Sequence, residues 1–342
     1  MLKNRMDIGQ IVSIQAKEVG FSGVVLLKEE NEIILQEAFG LADRSNNLSN
    51  TLETRFGIAS GCKLFTAIAI CQLVEKGMLS FDTKLSDCLD IEFPHFNQDI
   101  TIHHLLTHTS GMPDYFDEAV MDDFSDLWKA VPMYTIKRLS DFLPLFQHHS
   151  MMFKPGERFH YNNAGFIVLG LVIEQHTGLE FTEYIELNVF KSANLTDSGY
   201  FELDQLPANT AIGYIDRKNG TWTTNIYSLP IKGGSDGGAF ISALDMMKVW
   251  EALFSYQLLS EKMTAALLTP YICEEDEEYY GYGIWITKRD GDIFKYHLMG
   301  YDPGVSFHSS VYPNNGIKLV IPSNKGKGPY AITCEIEKAL SL

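Results

Sequence analysis

Along residues 64–74 apolar side chains fall on nearly every face of a helix, and Gly77 ends the run. A helix without a polar face belongs at the centre of a fold. The N-terminal segment, MLKNRMDIGQIVSIQAKE, has instead the spacing of an amphipathic helix. Residues 23–27 and 33–37 are β-rich and flank Glu29, Glu30, Asn31 and Glu32, which reads as a hairpin. From residue 101 to about 259 the pattern predicts mostly helix with long loops, broken at Pro113, Pro132, Pro144, Pro155 and Gly156. Short β-rich runs return at residues 282–287, 293–298, 305–311 and 317–321, and a helix over 330–340 closes the chain. Strands at both ends with helices between them predict an α/β (α+β) architecture. Residues 1–80 and 265–342 would form one lobe around an antiparallel sheet, and residues 81–264 an inserted, mainly helical lobe.

Composition narrows the partners. The 342 residues carry 27 Lys plus Arg against 44 Asp plus Glu, a net charge of −17. A chain so acidic, with no basic stripe, is repelled by nucleic acid and by anionic membrane surfaces. No apolar run approaches the roughly twenty residues of a membrane span. Five cysteines without C-x-x-C spacing suit neither a disulfide framework nor a zinc ribbon. The N-terminus lacks a secretory pattern. Together these predict a soluble, cytoplasmic protein of a reducing compartment; its oligomeric state stays open.

Chemistry concentrates at Ser60-Gly61-Cys62-Lys63, an S-x-x-K at the start of the apolar helix. One helical turn places Ser60 and Lys63 on the same face. As a mere N-cap, Ser60 would prefer Glu or Gln three residues on, because lysine has the wrong sign for the positive end of the helix. The apolar residues after Lys63 imply a buried amine, and a desolvated amine accepts and releases protons more readily than an exposed one. Cys62 reads as a packing residue rather than a nucleophile. Tyr161-Asn162-Asn163 adds a Y-x-N leading into the apolar residues 164–173, although Asn163 could simply cap that helix.

With these motifs in order, the sequence resembles the serine hydrolases that include class C β-lactamases, D-alanyl-D-alanine carboxypeptidases, penicillin-binding-protein-like esterases and D-aminopeptidases. Residues 100–115, 153–170, 237–245 and 300–305 resemble further family blocks, and the likeness runs from about residue 20 to 323. The resemblance implies that Ser60 is acylated, that Lys63 or Tyr161 takes its proton with Lys63 favouring a Tyr161 phenolate, and that Asn163 holds a substrate amide. It also implies oxyanion donors at the Ser60 N–H and on the strand carrying Gly300 and Tyr301, and a hydrolase of a small molecule or short peptide that needs no metal or organic cofactor.

The third family box, K-T-G or H-x-G, departs from the pattern. Counting from Pro303-Gly304 puts Leu298-Met299-Gly300 in the box, whereas a loop one residue longer puts His297 there to bind substrate. Successive strand residues face opposite ways, so only one of the two can face the site unless a bulge intervenes. With Leu298 the anchor for a substrate carboxylate is missing, and a neutral ester or amide becomes the better substrate. Two rival readings are a non-catalytic binding or regulatory protein on the same fold, and an α/β-hydrolase using Ser235 of Gly233-Gly234-Ser235-Asp236-Gly237 with Asp245 and His297. His104 and His108, spaced i, i+4, read as structural histidines rather than metal ligands, and residues 274–278 as a solvated acidic loop.

Overall fold

The computed structural model describes residues 2–121, 124–129 and 131–342. Its frame is an eight-stranded antiparallel sheet drawn from both ends of the chain. In chain order the main elements are α1 (Leu2–Val19), β1 (Gly23–Glu29), β2 (Glu32–Phe39), α2 (Lys63–Glu75), α3 (Asn163–Thr177) and α4 (Ala243–Phe254). They continue with β3 (Ile272–Glu275), β4 (Glu278–Tyr280), β5 (Trp285–Arg289), β6 (Asp292–Asp302), β7 (Val305–Tyr312), β8 (Ile317–Ser323) and α5 (Pro329–Leu340). Strand order across the sheet is β3-β4-β5-β6-β7-β8-β1-β2, so the N-terminal hairpin joins the C-terminal meander through β1 and β8.

Alternation along β1 explains how both faces are covered. Val24 and Leu26 point into the large core shared with α2, α3 and α4, whereas Val25 and Leu27 point into a smaller core with Ile8, Val12 and Ala16 of α1 and Ile332 and Ile336 of α5. The two terminal helices thus cover one face. On the other lies α2, buried from Lys63 through Cys71, as expected of a helix with no polar side. α4, which falls within the span expected for the inserted lobe, packs on β1 and β8.

Two stretches differ from the sequence pattern. The described residues between 107 and 162 are short 3₁₀ segments and turns rather than long helices, since each proline removes a backbone donor and blocks helix propagation. The acidic residues 274–278 are not a free loop: they form most of the β3–β4 hairpin. Among the described residues no helix is long and apolar enough to cross a membrane, and no group of His, Cys, Asp and Glu is placed to hold a metal.

Candidate active site

A 3₁₀ turn, Ala59–Cys62, leads directly into α2 and carries Ser60. Ala59 sits at φ 45°, a left-handed conformation that costs a residue with a side chain about 1–3 kcal/mol. Two glycines let this turn lie against the sheet. A Cβ on Gly300 of β6 would stand 2.1 Å from the Ile58 carbonyl oxygen, and one on Gly61 would stand 2.6 Å from the Phe307 ring of β7. Ser60 is thereby held beside the β6 backbone at Gly300.

Lys63, 1% exposed, makes three contacts with its amine. Nζ lies 3.0 Å from Ser60 Oγ, 2.8 Å from Asn163 Oδ1 and 2.7 Å from the Asp236 carbonyl oxygen. A charged ammonium donates to all three. A neutral amine donates to Asn163 and Asp236 and turns its lone pair to the Ser60 hydroxyl, so one framework fits both protonation states. The rings of Tyr161 and Phe166 flank the amine, with centroids 4.9 and 5.5 Å from Nζ.

Helix α3 delivers Asn163 because its cap is made by others. Asn162 Oδ1 accepts from the Gly165 N–H at 2.7 Å, and the Asp114 carboxylate accepts from the N–H groups of Asn163 and Ala164 at 2.7 and 2.9 Å. The capping role left open for Asn163 therefore falls to Asn162, and the Asn163 side chain is free for Lys63. Its Nδ2 donates weakly to the Phe116 carbonyl and to Glu118 at 3.4 and 3.3 Å.

Tyr161 shares a hydrogen bond with Ser60. Burial first, then the charge of Glu118, pushes its hydroxyl well above the usual tyrosine range, against the Ser60 hydrogen bond. These effects run against the Lys63-favoured phenolate expected from the sequence and favour the neutral phenol of Tyr161.

The β6–β7 pairing runs without a shift from Tyr296↔Val311 to Asp302↔Val305. No bulge brings His297 round, so Leu298-Met299-Gly300 occupies the third box and the His297 register is corrected. Leu298 joins the large core with α2. His297 faces the other way, bonded through Nε2 to Glu278 and Thr287 at 3.1 and 3.3 Å. Gly300 and Tyr301 do lie beside Ser60, with Tyr301 on the wall of the cleft.

Ser235 is fully buried, its Oγ has no partner among the described residues, and Asp245 is occupied by the N–H groups of Thr196 and Asp197. With His297 across the sheet, Ser235, Asp245 and His297 form no triad. The Gly233–Gly238 segment instead folds over the start of α2, presenting the carbonyls of Asp236 to Lys63 and of Ser235 to Thr66. His104 caps its own helix through Thr101, and His108 is buried against Tyr161 with ring centroids 4.4 Å apart. Burial pushes the Cys62 thiol up to about 12, leaving no thiolate for nucleophilic attack.

The family model described as Beta-lactamase matches residues 9–341. The chain belongs to the β-lactamase family. This β-lactamase-family chain is a serine hydrolase. It is 30% identical over 318 residues to PbpX, named as a penicillin-binding protein, of Bacillus subtilis (strain 168), covering 92% of this chain and 73% of that one. Among solved structures, a penicillin binding protein from Bacillus halodurans is 57% identical with a TM-score of 0.92, over 96% of this chain and 99% of the other. A D-amino acid amidase from Ochrobactrum anthropi SV3 shares the fold at 20% identity and a TM-score of 0.79, over 98% of each chain.

Several residues around Ser60 drew no role from the sequence. Tyr115 donates its hydroxyl to the Asp236 carboxylate, and Asp114, Glu118 and Asp302 stand near the same center. Asp114, Tyr115 and Asp302 lie inside family blocks and Asp236 inside the glycine-rich loop, but an acidic residue between turn residues carries no spacing signal that separates site from surface.

Proposed function

We propose that the chain hydrolyses esters or amides lacking a carboxylate beside the scissile bond, through an acyl-enzyme on Ser60. The observation that carries this reading is the Ser60 Oγ to Lys63 Nζ distance of 3.0 Å, within a bonding pattern that serves the amine and the ammonium alike. Ser60 Oγ attacks the carbonyl carbon while its proton passes to Lys63. Negative charge then grows on the carbonyl oxygen, where the N–H groups of Ser60 and Tyr301 would stabilise it. The neutral phenol of Tyr161 protonates the leaving oxygen or nitrogen as the C–O or C–N bond breaks, and recovers its proton from Lys63. Water then enters where the leaving group stood and attacks the acyl carbon as its proton passes to Lys63; the Ser60 Oγ–C bond breaks, Lys63 returns that proton to Oγ, and the acid product leaves. Asn163 orients Lys63 and, on exchanging its weak bond to Phe116, a substrate carbonyl.

Leu298 in place of a cationic or polar anchor argues against carboxypeptidase and penicillin hydrolysis and favours an esterase or amidase. A cytoplasmic setting belongs to this reading and is supported by five cysteines that are all free, with Cys62, Cys71 and Cys88 buried. The deciding experiment is intact-mass analysis after a fluorophosphonate: one adduct on the native protein, located at Ser60 and absent from Ser60→Ala, is expected. An unmodified native protein would overturn the reading in favour of a non-catalytic role.

A further inference from the structure

Besides the serine, the Lys63 amine has two acceptors, and both need holding in place. One is the Asn163 side chain at the start of α3; the other is the main-chain carbonyl of Asp236, in the glycine-rich run 233–238. Four of the six residues of that run are glycine, and Gly238 sits at φ 87°. Glycine has the most backbone freedom to lose on being fixed, so a catalytic contact made by such a run needs tethers. Two of these fall on main-chain atoms: Thr66 Oγ1 donates to the Ser235 carbonyl at 2.6 Å, and the Gly234 N–H to the Gly237 carbonyl at 2.8 Å. Of the two side chains in the run, Ser235 bonds nothing through Oγ among the described residues. The run's own side-chain hold is therefore the Asp236 carboxylate.

Both acceptors are reached from one place. Tyr115 donates its hydroxyl to the Asp236 carboxylate. The residue before it, Asp114, accepts from the N–H groups of Asn163 and Ala164. Tyr115 and Asp236 are both buried in the wall of a cleft of about 960 Å³ that opens beside Ser60. The Tyr115 ring packs on Phe142 with centroids 5.1 Å apart, which directs the hydroxyl. Burial first, then the charge of Asp236, holds that hydroxyl well above the usual tyrosine range, so it remains a donor.

We propose that Asp114-Tyr115 is a two-residue clamp that positions Lys63, Asp114 fixing the Asn163 acceptor and Tyr115 fixing the Asp236 acceptor, so that the amine stays aimed at Ser60 Oγ. Both are positioning residues, because each acts through a group that bonds the amine. The proposal rests on the hydrolase reading above and extends it from the reacting groups to those that hold them.

Acylation of Ser60 in the full chain by a fluorophosphonate, followed by intact mass at several reagent concentrations, separates the maximal rate from the half-saturating concentration. Tyr115→Phe keeps the ring and removes only the tether. Its maximal rate should fall about tenfold to a hundredfold, with half-saturation changed less than about twofold. Two variants of similar shape should differ at 236: Asp236→Asn, which keeps an acceptor for the Tyr115 hydroxyl, should acylate at least about tenfold faster than Asp236→Val, which does not. Adding Tyr115→Phe to Asp236→Val should cost less than about twofold more, since the two groups form one contact. Asp114→Asn should likewise acylate faster than Asp114→Ala. Should Tyr115→Phe not fold, the comparison at 236 decides. Equal maximal rates for the parent chain and Tyr115→Phe, or for Asp236→Asn and Asp236→Val, would overturn the proposal while the adduct at Ser60 leaves the hydrolase standing. A native protein that takes no adduct removes both.

Discussion

Lys63 is the residue on which the proposed chemistry turns, because its amine has three acceptors arranged so that losing one proton costs it no hydrogen bond. Arginine at 63 would remain charged at any working pH, and its planar fork does not match acceptors on three sides. Lys63→Arg should therefore lower kcat/KM by about a thousandfold or more, the scale seen when a member of a catalytic unit is lost. Tyr161→Phe keeps the ring beside the amine and removes only the hydroxyl, so a drop of about 10²–10⁴ in kcat is expected, the usual worth of a positioned proton donor. His297 gives the opposite expectation. Its ring lies across the sheet from Ser60, so His297→Ala should change kcat/KM less than threefold while lowering Tm through loss of its contact with Glu278. Ser60, Lys63, Tyr161 and Asn163 were legible because a helical turn and a Y-x-N are short-range patterns. The acids that surround them were not, because Asp114 and Glu118, Asp236, and Asp302 come together only through tertiary contacts between three separate segments.

At the scale of elements, the site depends on how closely the 3₁₀ turn bearing Ser60 approaches β6. Gly300→Ala places a methyl group 2.1 Å from the Ile58 carbonyl oxygen, so the turn must retreat from the strand that would supply the second oxyanion donor. Even a displacement of about 1 Å can reduce a rate about a hundredfold. The expected outcome is a kcat loss of that order with a cooperative melt retained, checked by stopped-flow acylation alongside calorimetry. An unchanged acylation rate would show that β6 does not contribute to the oxyanion site. Period-2 and period-3.6 patterns made β1, β2, β5 to β8, α2 and α5 readable along the chain. They could not settle the third box, because choosing between His297 and Leu298 requires the β6–β7 register, and that is a pairing between strands. The hairpin β3–β4 was hidden by its own charges: Glu278 reads as surface until His297 and Thr287 are seen to bond it.

For the whole molecule, the net charge of −17 first excluded partners and now accords with a cleft whose charged lining residues, among those described, are all acids. A field of that sign raises the local concentration of cationic substrates and lowers that of anions, an effect that salt screens. The same concentration of acid bears on stability through Asp302. Burial, and then the charge of Asp236, push its carboxyl up to about 8, well above the usual carboxylate value of about 4, so between those values the folded state holds a proton that the unfolded state has released. Stability therefore falls as pH rises across that window, by at most about 1.4 kcal/mol per pH unit for one such group. Above pH 8 both states are ionised and the loss is complete. Asp302→Asn removes the dependence, because an uncharged amide of nearly the same shape neither binds nor releases a proton. Its Tm should match that of the parent chain near pH 3, where folded and unfolded parent both hold the proton, lie above it already at pH 6 and exceed it most near pH 9. Asp204→Asn, at an exposed position on the same cleft, removes one charge without that burial and should show a far smaller gain at pH 9. Equal gains for the two variants across the pH range would mean that general acidity, rather than the buried carboxyl at 302, sets the slope.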